Sequence, residues 1–270
     1  MTILNLNEEL ITLEISGTDA AAYLQGQLTN DIKELPNKPF QYSAHLNNKG
    51  RILATFIITS PAIDTYYLIT SKTLANKIVP RLKMFILRSK VTLNISTKNM
   101  SLSTQHLADS HTIQLAEQCF LNLSDVAPES VTNSNEFHHQ LVKLGFPLIE
   151  QNTYEKIIPQ QVNFDLIGGV NFKKGCYTGQ EIVARTHYLG KVKRRMVDFS
   201  CASQPQIGQV IVSPLLDNQE VGFIIDYYQE NNQFHGLASL QLDCLEQAYL
   251  DINNQFKLNC NQLNTESQGA

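Results

Sequence analysis

The sequence predicts an α+β protein of two or three modules whose C-terminal part is a small antiparallel barrel or sandwich. Three observations carry that prediction. The chain has 270 residues, against roughly 100–200 for a single domain. Strand-like alternation and helix-like spacing succeed one another from residue 10 to residue 144. From Lys193 onward the texture changes to short β-type segments at 196–200, 209–213, 221–228 and 236–243, separated by turn residues.

The elements follow in order. Residues 10–16 alternate as a strand does, and Gly17-Thr18-Asp19 then offers a turn and an N-cap for a helix carrying Ala22, Tyr23, Leu24 and Leu28. Extended runs at 41–46 and 51–59 flank Asn47-Asn48-Lys49-Gly50, whose turn-forming residues predict a β-hairpin. A strand at 66–70 precedes Ser71, a cap for a helix with Leu74, Ile78, Leu82 and Phe85 or Ile86 at helical spacing; Pro80 should kink or break it. Strand-like runs at 91–95 and 100–106 come next. Residues 118–135 are weakly patterned and read as a crossing between modules. A helix at 136–144 ends at the stop signal Gly145 and Pro147, and residues 261–270 look frayed.

Composition narrows the function. Charged residues make up 17%, below the roughly 25% of an average soluble domain. With 21 Lys and Arg against 25 Asp and Glu, the formal charge is −4, so no global field attracts nucleic acid or a membrane surface and any anion must be held locally. The first nine residues lack a basic n-region and an apolar h-region, and the most apolar stretch, 52–59, is far shorter than the ~20 residues of a spanning helix. A cytoplasmic location with no membrane partner is expected. Five scattered cysteines, Cys119, Cys176, Cys201, Cys244 and Cys260, contain no Cys-x-x-Cys, which argues against a disulfide framework, a zinc ribbon or a ferredoxin-type cluster; no stably bound metal is expected.

The chemistry concentrates in Lys173-Lys174-Gly175-Cys176-Tyr177-Thr178-Gly179-Gln180-Glu181. Thr178 and Glu181 have the spacing of a capping box, predicting a helix from Gly179 to about His187. Cys176 would then sit just ahead of a helix N-terminus, whose positive end joins the ammonium groups of Lys173 and Lys174 in favouring a thiolate. Most lone cysteines are small buried hydrophobes, and the other four are read so. Between Lys173 and Arg195 there are seven basic residues (Lys173, Lys174, Arg185, Lys191, Lys193, Arg194, Arg195) and one acid, Glu181. Such a run is commonly a solvated face; its contrast with the acidic remainder points to a carboxylate tail, a phosphate or a nucleic acid. Other motifs fail. Gly190-Lys191 is followed by Val192, and Arg185 stands where a P-loop needs its first glycine. His138 and His139 point to different sides of a helix and read as surface or half-buried residues, not co-ligands of a metal.

The run Ile158-Pro159-Gln160-Gln161-Val162-Asn163, then Gly168-Gly169, Phe172 and the string Lys174-Gly175-Cys176-Tyr177-x-Gly179-Gln180-Glu181 with Val183-Ala184-Arg185, closely resembles the YgfZ family of folate-binding proteins, part of the aminomethyltransferase-like superfamily of the glycine cleavage T-protein. Gly17-x-Asp19, Tyr23-Leu24-Gln25-Gly26-Gln27-Leu28-Thr29-x-Asp31 and Gly145-Phe146-Pro147 extend the resemblance over most of the chain. It implies three modules in a ring around a central folate site: residues 1–45 with 136–190, residues 46–135, and a C-terminal β-barrel at 191–262. It also implies an accessory role in making or repairing iron–sulfur proteins, tRNA-modifying enzymes included, with tetrahydrofolate or a one-carbon derivative and with Cys176 as the functional thiol of the motif.

Two departures stand out. The T-protein's Asp-Asp pair after the hairpin turn aligns with Ala54 and Thr55, neither of which can act as a carboxylate acid or base. Tryptophans of YgfZ-type folate sites align with Leu10 and Phe137; Phe137 can stack on a pterin, whereas Leu10 offers apolar contact alone. The resemblance further implies that one or more of Lys174, Arg185 and Lys191 lie within reach of an anionic folate tail. Two alternatives stay open: a true one-carbon transferase, disfavoured by Ala54 and Thr55, and a tRNA-binding module in which residues 173–195 contact phosphates directly.

Overall fold

A computed structural model describes residues 3–263. Strand β1 (Ile3–Asn5) precedes β2 (Leu10–Ser16), in which buried Leu13 and Ile15 flank a half-buried Glu14, the alternation of a half-covered sheet. Helix α1 (Ala20–Gln27) follows. Its expected cap does not form: the Asp19 carboxylate accepts from the Lys90 N–H at 2.7 Å, tying the turn to a distant segment. Gly17 fits there because a Cβ would lie 2.1 Å from the Lys90 carbonyl oxygen.

The hairpin forms as expected from β3 (Gln41–Leu46) and β4 (Ile52–Ala62), followed by β5 (Thr65–Ser71). The Ser71 hydroxyl accepts from the Thr73 N–H, one 3-10 turn intervenes, and α2 (Ala75–Met84) continues past Pro80 without a break. Strands β6 (Thr92–Ile95) and β7 (Asn99–Ser103) come next. The crossing expected over 118–135 holds a strand instead: β8 (His111–Ala116) and β9 (Cys119–Ser124) form a hairpin. Buried Asn122 hid its apolar pattern; this side chain bonds Ser103 Oγ and accepts from Thr112 Oγ1. Helix α3 (Ser134–Leu144) starts where Asn133 accepts from the Glu136 N–H and stops at Gly145, left-handed at φ +60°.

After a long irregular stretch and α4 (Gln180–Tyr188), the C-terminal strands are β10 (Arg194–Cys201), β11 (Val210–Ser213), β12 (Gln219–Glu230), β13 (Gln233–Gln241), β14 (Ala248–Tyr249) and β15 (Lys257–Gln262). They close into a barrel, not a sandwich, because β10 pairs with both β13 and β15. Asn261 and Gln262 pair with Asp198 and Val197, so the fraying expected from 261 does not begin there; residues 264–270 lie outside the described residues.

Two further sheets have the orders β3-β4-β5-β2-β6 and β1-β7-β9-β8. The module boundary expected between residues 45 and 46 falls inside the β3–β4 hairpin, where Ala44 pairs with Thr55 and His45 with Ala54. Segments 10–16 and 65–71 pair with each other in the same five-stranded sheet. The barrel has its own core around Phe199, Ile224 and Leu240, separate from the main one. It is fastened to α3 through Asn135, whose side chain donates to the Gln229 carbonyl and accepts from its N–H. It is also fastened to the irregular stretch through Asn163 and the backbone of Met196.

Candidate functional site

The loop ahead of α4 is held from below. Asn171 Oδ1 accepts from the N–H groups of Lys173 and Lys174 at 2.8 and 3.0 Å, fixing a tight turn. Lys174 is 6% exposed and donates to the carbonyls of Gln25, Leu28 and Asn30 at 2.7–2.8 Å, at the end of α1. Burial pulls its pKa down to about 8. All three of its ammonium protons are committed to these carbonyls, which leaves Arg185 and Lys191 as the exposed cations of the three expected near a folate tail.

Gly179 is the residue before α4, at φ +81°, and a Cβ there would sit 2.4 Å from the Asn47 carbonyl oxygen. The hairpin turn therefore packs directly on the first turn of α4, with Gly50 against Ile182. The expected capping box is absent: no side chain caps α4, since the left-handed Gly179 makes the entry. Tyr177 is buried, and the Gln180 N–H donates to its carbonyl. Gly175 and Glu181 are exposed. Between the anchored residues Cys176 is free and exposed, whereas Cys119, Cys201 and Cys244 are buried and Cys260 is half-buried. Burial pushes the thiols of Cys119 and Cys201 up to about 11 and that of Cys260 to about 12.

The basic run divides on the same physical ground. Arg195 donates to Asp165 Oδ1 at 2.7 Å and to the Gln160 carbonyl at 3.0 Å, and Arg194 lies 3.5 Å from Glu220. Lys173, Arg185, Lys191 and Lys193 are exposed and, among the described residues, take part in no ion pair.

The residues expected at the pterin are packed inside. Leu10 is 5% and Phe137 2% exposed, both within the main core. Lys191 lines an open cleft of about 740 Å³ to which neither contributes. Ala54 and Thr55 are fully buried, and Thr55 Oγ1 donates to the Pro147 carbonyl at 2.8 Å while accepting from the Ile149 N–H at 3.1 Å. The position that carries an acid in the T-protein thus tethers the chain after α3.

A buried titratable cluster escaped the sequence reading. His138 Nδ1 lies 2.7 Å from Asp226 Oδ1, an ion-pair distance off the angle of a well-formed hydrogen bond. His139 turns away to stack on Tyr228 at 4.4 Å. Burial works against the His138 charge, yet Asp226, Glu150 and Glu9 together raise its pKa. Burial also raises Asp226 and pushes Glu150 to about 7, each reinforced by neighbouring carboxylates. Asp226 Oδ2 is buried without a partner. The one signal in the sequence is an acid closing the apolar run Val221 to Ile225. Glu9 adjoins Leu10 and His138 adjoins Phe137, so the cluster borders the two residues expected at the pterin.

Among the described residues no group of three or more His, Cys, Asp and Glu side chains is placed to hold a metal ion, and no helix is long and apolar enough to cross a membrane.

Comparison with known proteins gives three findings. Residues 7–108 match the family model described as the GCVT N-terminal domain. The tRNA-modifying protein YgfZ of Aliivibrio fischeri strain MJ11 is 30% identical, the alignment covering 95% of this chain and 88% of that protein. Its namesake in Colwellia psychrerythraea is 29% identical over 83% and 80%. Among solved structures, the glycine cleavage system aminomethyltransferase T of Bartonella henselae superposes with a TM-score of 0.70 at 11% identity, covering 99% of this chain and 86% of that one. At that identity the likeness is one of fold.

Proposed function

The chain belongs to the YgfZ family, and on that premise we propose that it is a cytoplasmic folate-binding accessory factor that supports assembly or repair of iron–sulfur proteins, tRNA-modifying enzymes among them, through Cys176. One observation carries the reading. Within the motif Lys174, Tyr177 and Gly179 are consumed in holding the loop, and Cys176 is left free and exposed at its crest. A thiol with no packing duty, set on an anchored loop, is suited to meet a client protein.

Tetrahydrofolate, when bound, supplies an amine that carries one-carbon units. The residue types present suit its pterin in kind. The flat ring needs an apolar wall and acceptors for its amino and N–H groups. Leu10 and Phe137 would supply the apolar wall, and Asp226 Oδ2 and the Glu150 carboxyl the acceptors, once a shift in packing uncovers them, since Leu10, Phe137 and Asp226 are buried in this structure. Aminomethyl transfer is the weaker reading, because Thr55 is engaged in backbone tethering and Ala54 has no proton to give.

Calorimetric titration with tetrahydrofolate tests the ligand, and rescue of iron–sulfur enzyme activity in cells lacking the gene tests the role. The parent should bind, and Asp226→Asn and Phe137→Leu should each weaken binding severalfold. Cys176→Ser should bind folate as the parent does and fail to rescue. No folate binding by the folded parent, or full rescue by Cys176→Ser, would sink this reading.

A further inference from the structure

Phe172 and His187 stack with ring centroids 3.7 Å apart and planes 15° from parallel. Tyr188 closes against both, edge-on to His187 at 4.7 Å and to Phe172 at 6.3 Å. Phe172 packs against the main core, but Tyr188 is 65% exposed and Leu189 beyond it 85%. The group therefore forms an outward-facing aromatic platform at the last turn of α4. Next to it in sequence are Lys173, Arg185 and Lys191, three of the exposed cations that take part in no ion pair among the described residues.

The other side of the same turn opens into the cleft of about 740 Å³. Thr186 from α4 lines it with Arg51, Lys156, Lys191, Lys193 and Arg194, and Glu155 and Glu220 are its only acids. Arg51 and Lys156 reach it from the hairpin turn and the irregular stretch, so the cleft is basic through tertiary structure and not merely through the run at 191–194. Arg51 Nη1 donates to the Lys156 carbonyl, while Lys156 and Arg194 lie over the Phe223 ring at 5.1 and 5.5 Å. These contacts hold three of the cations at the cleft wall, Arg194 also 3.5 Å from Glu220.

We propose that this platform and cleft form one binding surface for a single-stranded segment of RNA. Bases stack on Tyr188 and the Phe172–His187 pair, and phosphates run along Arg185, Lys191 and Lys193 into the cleft. Aromatic faces interleaved with unpaired cations are the combination that single strands require. A duplex keeps its base faces stacked internally and would leave the platform unused. An acidic protein would satisfy the cations without the rings. RNA is chosen over other polyanions because the relatives are tRNA-modifying proteins. The proposal goes beyond the folate reading and does not depend on it; it takes Arg185 and Lys191, expected at a folate tail, for RNA phosphates.

The test uses the full chain, a fluorescein-labelled ten-nucleotide single-stranded RNA of mixed sequence and, as a polyanion without bases, inorganic polyphosphate. Fluorescence anisotropy should show RNA binding that weakens with salt, log K falling by about 2–3 per decade for three or four phosphates engaged. Tyr188→Ala, at an exposed position, should weaken RNA about fivefold to a hundredfold and leave polyphosphate unchanged. Lys191→Glu with Lys193→Glu should weaken both. Absence of RNA binding at low salt, or indifference of RNA affinity to Tyr188→Ala, overturns the proposal. Tetrahydrofolate titrated into Tyr188→Ala should bind as in the parent; in the parent, absence of RNA binding with folate binding present overturns this surface alone, and absence of folate binding with RNA binding present overturns the folate reading alone.

Discussion

Lys174 Nζ stands 2.7 Å from the Leu28 carbonyl, and the same ammonium closes on the carbonyls of Gln25 and Asn30. These acceptors belong to the end of α1 and the turn after it, where carbonyls have no helical partner. A motif lysine thus acts as a remote C-terminal cap that ties residues 171–175 to the N-terminal module.

Lys174→Met keeps the length of the side chain and removes the three bonds. It should destabilise the protein by about 3 kcal/mol, since the carbonyls lose charge-assisted partners in a buried place. Denaturant unfolding measures this; a midpoint equal to the parent's would show that water replaces the ammonium at no cost.

Cys176 should be the first cysteine alkylated near neutral pH, because Cys119, Cys201 and Cys244 are buried and the thiols of Cys119, Cys201 and Cys260 are pushed well above their ordinary range. Mass spectrometry of the peptides after short iodoacetamide pulses gives the order. Faster labelling at any of the other four would remove Cys176 from its role. Cys176→Ser should also melt at the parent's temperature, since no packing depends on the thiol.

The parts of the fold legible in the sequence are those whose causes are local. The β3–β4 hairpin follows from Asn47-Asn48-Lys49-Gly50, and the end of α3 from Gly145. The parts missed have distant causes. Asp19 looked like a helix cap, but Lys90 takes its carboxylate. Thr178 and Glu181 had capping-box spacing, but Gly179 must bend left-handed to clear Asn47. At the site Cys176 was legible as a member of its motif. The charge of Lys174 was visible, while its acceptors lie nearly 150 residues away in sequence. Nothing in the spacing of His138, Glu150 and Asp226 announces that tertiary packing joins them.

Aminomethyl transfer should be absent. Ala54 has no ionisable group, and Thr55 Oγ1 is committed to Pro147 and Ile149. Methylene-tetrahydrofolate formation from an aminomethylated carrier protein should stay at the uncatalysed rate; turnover comparable to a T-protein would promote the transferase reading. Thr55→Val removes both bonds at nearly constant volume and should cost about 2 kcal/mol in stability. Thr55→Asp should cost more, because it buries an unpaired carboxylate.

Stability should fall as pH rises through neutrality, and Glu150 should account for a measurable part of the fall. Its folded pKa of about 7 stands above the ordinary carboxylate value, so between pH 4.5 and 7 the folded state holds a proton that the unfolded state has released. That stabilisation is complete below the unfolded pKa and is lost as pH climbs through 7. The raised pKa of His138 acts in the same sense: protonation favours the fold below the ordinary histidine value, and the benefit disappears at higher pH. Asp226, also raised by burial, adds to it, and Glu9 supplies like charge against both carboxylates. Glu150→Gln removes the titration while keeping the shape. At pH 8 it should stabilise the protein by about 2 kcal/mol, the order expected for a shift of this size in a partly buried group. At pH 5, where the parent's Glu150 is already neutral, the gain should shrink to a small fraction of that. Melting curves of parent and variant across pH 5–8 decide the matter: a difference independent of pH would mean that Glu150 is ionised in the folded protein throughout, contradicting its place in the buried cluster.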